Sequence, residues 1–186
     1  MSRDFQTVSS AWPMRIMGID PGLSVTGYSI LEFLSGTDKP NLLTADKITT
    51  DSKTPLGARL GKIHKMLEFV IKEYTPAEVA VESQFLGKNV KSAMSVSQVK
   101  AIALLAASQN GLSGREISPR EVKEIVAGWG GADKEQVRAM VLAQINAVSL
   151  PASLDISDAT AICLAAFSLR RFDIIMGDDY GSGDES

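Results

Sequence analysis

Apolar residues fall into short runs of strand length near the N-terminus and into longer stretches with helical spacing after residue 50. The alternation of the two predicts an α/β chain. Arg15-Ile16-Met17-Gly18-Ile19 reaches a carboxylate, Asp20, turns at Pro21-Gly22 and resumes as an apolar run after Gly27. Two such runs about a short Gly-containing turn predict a β-hairpin over residues 15–34. A polar turn through Gly36 and Pro40 leads to a third strand at 41–48. Thr54-Pro55 opens a helix whose Leu60, Ile63, Leu67, Val70, Ile71 and Tyr74 form one stripe, and Pro76 ends it. Val79-Ala80-Val81 is a short buried strand that delivers Glu82. The loop after it, from Ser83 to Lys91, mixes the aromatic Phe85 with Lys88 and Lys91, and an alanine-rich helix over 92–109 follows. A brief strand at 115–118 gives way to a helix starting at Pro119. Asp133 caps another helix at 134–146. The last helix is expected over 157–171, with Asp155 and Asp158 at its start.

Each acid has an ordinary reading. Asp20 before Pro-Gly can simply cap a turn, Glu82 can be a solvent-facing strand end, and acids are favoured in first turns of helices. What distinguishes them is common placement: every one stands where a rigid element ends. Asp155 and Asp158, three residues apart, share a helix face.

Composition narrows the chemistry. The 186 residues, 45% of them hydrophobic, suit one domain with a sizeable core. A single cysteine (Cys163) excludes a disulfide framework and a Cys-based zinc site, and a single histidine (His64), beside the apolar stripe, leaves no His cluster for zinc. A metal would be held by carboxylates, which favours Mg²⁺, with Mn²⁺ as a substitute. No stretch reads as a signal peptide or a membrane span, so a cytoplasmic setting is expected. The net charge of −3 is uneven. Setting aside Arg3 leaves 18 of 19 basic residues. Setting aside Asp4, Asp173, Asp178, Asp179, Asp184 and Glu185 leaves 16 of 22 acidic ones, so the body carries +2. Residues 1–14 are expected to be a mobile extension, 15–171 the folded domain and 172–186 a disordered acidic tail. That tail is expected to compete with DNA for the basic face.

If the two acid-bearing strands are neighbours and the last helix crosses them, four carboxylates converge. Converging carboxylates repel and cannot all ionise without cations. Two divalent ions about 3.5–4 Å apart would relieve that conflict and form a phosphodiester-cleaving centre.

Met17-Gly18-Ile19-Asp20-Pro21-Gly22 with Thr26-Gly27-Tyr28, Val81-Glu82 followed by Phe85 and Lys88-Asn89, and Asp155-x-x-Asp158-Ala159 together resemble the RuvC family of bacterial Holliday-junction resolvases. Pro119-x-x-Val122-Lys123 and Gly128-x-Gly130-x-Ala132-x-Lys134-x-x-Val137 add a fourth block. The blocks stand in order over residues 15–167. The resemblance implies an RNase H-like fold with a central five-stranded mixed sheet flanked by helices. It also implies a homodimer that makes paired, symmetric nicks in a four-way DNA junction, in recombination and repair, leaving 5′-phosphate ends, and that works with the RuvA/RuvB branch-migration machinery. By the same resemblance Asp20, Glu82, Asp155 and Asp158 take the metal-binding catalytic positions, Lys123 and Lys134 stand near the scissile phosphate, and Phe85 stacks on a base. Charge alone adds Lys88, Lys91, Arg115 and Arg120 as backbone contacts. Three other readings remain: an ATPase of the actin, Hsp70 and sugar-kinase type, a catalytically silent branched-DNA-binding module, and a related nuclease acting on other branched DNA. The ATPase would need a second domain for which the chain has no room.

Overall fold

The computed structural model describes residues 12–83 and 90–180, without the side chains of 90–92 and 177–180. Strand β1 (Met14–Asp20) and strand β2 (Val25–Phe33) form the expected hairpin, with Asp20 directly opposite Gly27. Strand β3 (Asn41–Thr49) extends it antiparallel. Helix α1 (Leu56–Tyr74) then crosses over to β4 (Glu78–Glu82), and helix α2 (Val90–Gln109) crosses to β5 (Ser113–Ile117). Both β4 and β5 run parallel to β1, so the sheet is mixed and five-stranded, in the order β3-β2-β1-β4-β5. Helices α3 (Pro119–Ala127), α4 (Lys134–Gln144) and α5 (Leu154–Tyr180) complete the chain. The comparatively short α3 and α4 are each opened by a capping box, Ser118 with Glu121 and Asp133 with Gln136.

The two-residue period of β1 distributes the core. Met17 and Ile19 face α1 and α2, packing with Ile63, Leu67, Val99 and Ala103. Ile16 faces the other way, against the layer formed by α3, α4 and α5, with Val122, Val141 and Ile162. Gly18 and Asp20 share that second face. A Cβ at Gly18 would overlap the Ala159 carbonyl oxygen and come within 2.8 Å of the Cys163 Sγ. A Cβ at Gly27 would overlap the Asp155 backbone. The two glycines therefore let the small-residue face of α5 lie directly on the sheet, which brings the start of that helix beside Asp20. Cys163 is buried at this contact and donates to Ile16 and Ser29 carbonyl oxygens, and burial pushes its thiol up to about 12. It is a packing residue.

Three expectations change at the chain ends. β1 starts at Met14, which is buried, so the part of the expected extension that stays outside the described residues is 1–11. α4 stops at Gln144, because the Asn146 amide turns to the Pro40 carbonyl at 2.8 Å. The last helix begins at Leu154 and continues to Tyr180, past the break expected at Arg171. No proline interrupts it. Arg170 binds Glu78 at 2.7 Å and Asp173 binds Arg115 at 2.9 Å, and these contacts hold its second half to the sheet edge. Residues 172–180 are thus helical, and only 181–186 of the expected tail lie outside the described residues. Among the described residues no helix is long and apolar enough to cross a membrane.

Candidate active site

Asp20 ends β1, and Glu82 ends β4 one residue beyond the Ile19–Val81 pair. The two are lateral neighbours on adjacent strands, about 4.8 Å apart along the hydrogen-bonding direction. Both share the face of Gly18 and Ala80, toward α5. From above that face α5 supplies Asp155 and Asp158 in its first turns. The capped start of α4 supplies Lys134, and Lys123 comes from α3. All six side chains line one cleft of about 420 Å³.

The electrostatics follow from this crowding. Burial pushes the Asp20 carboxyl up from its ordinary 3.8 to about 7, and the neighbouring charges of Glu82, Asp158 and Asp155 add to the rise, while Lys134 opposes it. Lys134 donates from Nζ to Asp158 Oδ2 at 2.6 Å, and that bond holds its ammonium above the ordinary lysine range. Asp155 Oδ2 accepts from the Ser153 hydroxyl at 2.8 Å. The four acids share the cleft without forming a finished coordination shell. Among the described residues no three Asp, Glu, His or Cys side chains stand at positions that would hold an ion. The donor set nonetheless fits a divalent cation. It offers hard oxygen ligands from three separate elements, and a cation would relieve the repulsion among the acids that adds to the burial raising Asp20.

Of the other expected residues, Arg120 is exposed and paired to Glu124 at 2.8 Å. Arg115 does not reach the cleft. Its guanidinium is divided between the buried Glu78, at 2.5 Å, and Asp173, at 2.9 Å, so it belongs to the sheet-edge ion network. Phe85 and Lys88 lie outside the described residues, as does the Lys91 side chain. Two contributors were missed in the sequence. Ser153 orients Asp155, signalled only by a hydroxyl two residues before the acid. Gly27 admits the α5 backbone, signalled by a glycine paired across the hairpin from Asp20. A larger cleft of about 560 Å³ lies at the opposite end of β1 and β2, beside Trp12, Phe33 and Phe167. Its one carboxylate is Asp38, so it lacks a metal-ligand set.

A three-stranded antiparallel unit continued by two parallel strands, with acids at the ends of the two central strands and on a helix across them, defines an RNase H-like nuclease. The family model for the crossover junction endodeoxyribonuclease RuvC matches residues 16–166, and this chain belongs to that family, a nuclease family whose membership implies divalent metal use. The RuvC of Dehalococcoides mccartyi is 42% identical over 86% of this chain and 95% of its own length. That of Desulforamulus reducens is 38% identical over 83% and 95%. Thermus thermophilus RuvC in complex with a Holliday junction substrate superposes with a TM-score of 0.79 at 32% identity, covering 86% of this chain and 96% of that one. The yeast mitochondrial resolvase Ydc2 shares the fold at 12% identity, with a TM-score of 0.63 over 89% of this chain and 86% of its own.

Proposed function

We propose that this chain resolves four-way DNA junctions by nicking two opposed strands symmetrically through metal-assisted phosphodiester hydrolysis, leaving 5′-phosphate and 3′-hydroxyl ends. The observation that carries the reading is the single cleft in which Asp20, Glu82, Asp155 and Asp158 meet Lys123 and Lys134. The four carboxylates would hold two divalent ions, Mg²⁺ or Mn²⁺. Once bound, these ions supply a lowered pKa to the attacking water and neutralise charge on the leaving oxygen.

The chain's own groups supply the rest. Strands β1 and β4 hold Asp20 and Glu82 at fixed heights, so little reorganisation is needed when charge develops. Ser153 fixes one Asp155 oxygen. Lys123 and Lys134, on two separately capped helices, flank the acids and take the phosphate's non-bridging oxygens. By their place in the sequence after Glu82, Phe85 is assigned to stacking on a base, and Lys88, Lys91 and the exposed Arg120 to the phosphate backbone.

Among the described residues one cleft gathers these acids, so paired nicks on opposed strands call for two copies. The active form is therefore a homodimer acting on a four-way junction, with the RuvA/RuvB branch-migration machinery as its partner in the cell. The deciding experiment is cleavage of a mobile synthetic junction with and without Mg²⁺, mapping both nicks, beside a flap and a plain duplex. Metal-dependent symmetric nicks confined to the junction are expected. Preferential cleavage of the flap would reassign the substrate, and binding without cleavage at any divalent ion would make the chain a binding module.

A further inference from the structure

Lys134 makes a contact that its expected place beside the phosphate does not require. Its ammonium is bonded to Asp158 Oδ2 at 2.6 Å, among the carboxylates assigned above to the metal ions. The backbone that carries it is fixed. Lys134 is the first residue of α4, directly after Asp133, whose side chain accepts from the Gln136 amide at 2.8 Å while the Gln136 side chain accepts from the Asp133 amide at 3.0 Å. The side chain is not fixed to the same degree. It is 59% exposed, against 20% for Asp158, and a four-carbon stem swings a single charge between neighbouring anions at little cost. The charge that holds Lys134 is collective, since Asp20 and Asp155 attract it along with Asp158.

We propose that Lys134 is an exchangeable internal cation: it competes with a divalent ion for Asp158, and a DNA phosphate draws it away, so that DNA and metal bind cooperatively. The proposal rests on the nuclease reading above and adds the linkage between its two ligands. An ammonium and a divalent ion cannot use the same carboxylate oxygen in the same direction. Each raises the cost of binding the other, and by reciprocity whatever removes the lysine from Asp158 tightens the ion. A phosphate oxygen arriving in the cleft is a competing anion for the same ammonium. The fold thereby favours an ion loaded in the presence of DNA over one loaded beforehand.

The test is isothermal titration of Ca²⁺, a hard cation that takes oxygen ligands, into the full-length protein alone and into the protein saturated with junction DNA that is recovered intact afterwards. Wild type is compared with Lys134→Met and Lys134→Arg. Lys134→Met alone should bind Ca²⁺ more tightly than wild type, on the order of fivefold, the range expected for losing a half-exposed competing charge. Its gain on adding DNA should shrink by a similar factor, because the lysine's share of the linkage is gone. Lys134→Arg should keep the wild-type pattern. Weaker or unchanged Ca²⁺ binding by Lys134→Met alone, or an undiminished gain with DNA, overturns the exchange. If wild type binds neither Ca²⁺ nor Mn²⁺ in either state, the metal-dependent reading itself fails, and the two failures are told apart by that control.

Discussion

At the scale of single residues the site is a compromise between stability and chemistry. Asp20 titrates near 7 in the folded chain, chiefly because it is buried and then because three other acids face it, whereas an unfolded Asp titrates at its ordinary 3.8. Between those values the folded state holds the extra proton. Stability in the absence of divalent ions therefore falls as pH rises from about 4 to about 7, with a ceiling of about 4 kcal/mol. Thermal denaturation in EDTA should show the melting temperature dropping from pH 5 to pH 8. Asp20→Asn should flatten that profile and raise the pH 8 melting temperature by on the order of 5 °C. The same variant should keep its affinity for junction DNA and lose cleavage. A lower melting temperature for Asp20→Asn would show that the carboxylate supports the fold instead. Ser153 is the complementary case, since its hydroxyl bonds Asp155 at 2.8 Å without lying among the four ligands. Ser153→Ala should leave the melting temperature within a degree or two and weaken divalent-ion affinity by about tenfold, with Ser153→Thr restoring it. Equal loss in both variants would assign Ser153 to helix capping alone.

At the scale of elements, the contact between α5 and the sheet sets where the acids meet. The Cβ of Gly18→Ala would fall on the backbone oxygen of Ala159, which has no rotamer to escape into. Overpacking of this kind costs typically about 1–3 kcal/mol, and more where backbone must yield. Because α5 carries Asp155 and Asp158, Gly18→Ala should lower both the melting temperature and the cleavage rate, measured well below the new melting point. Loss of stability with full activity would show that α5 reaches its place by other contacts. Strands were legible as short apolar runs, such as 15–19 and 79–81, and the first helix by the helical spacing of Ile63, Leu67 and Val70. The grouping of the acids was legible because each ends an element. Long-range pairing left no such trace. Arg115 reads from its neighbours as a surface cation, and its partner Glu78 stands 37 positions away, at 2% exposure between Arg115 and Arg170. The continuation of α5 to Tyr180 was hidden for the same reason. Composition after Arg171 favours disorder locally, and the Asp173–Arg115 contact that opposes it joins residues 58 positions apart.

At the scale of the whole molecule, the helical course of α5 decides what the acidic end of the chain can do. The acids of the cleft sit at the N-terminal end of α5, and Asp178 and Asp179 sit near its C-terminal end. Twenty helical residues separate Asp158 from Asp178, a distance of about 30 Å at 1.5 Å per residue. The screening length at physiological salt is about 8 Å, so a charge carried at that end of the helix would act only weakly on the cleft. The expected competition of the acidic tail with DNA should therefore be weak at physiological salt and appear only at low salt. Truncation after Gly177, which spares the Asp173–Arg115 contact, should leave junction affinity within about twofold at 0.15 M salt. Near 0.01 M, where the screening length grows to about 30 Å, the truncated chain should bind more tightly than the full one. Binding measured by fluorescence anisotropy across that salt range checks both halves. A tightening that persists undiminished at 0.15 M would mean that the tail reaches the cleft by direct contact, for example across the two copies of a dimer.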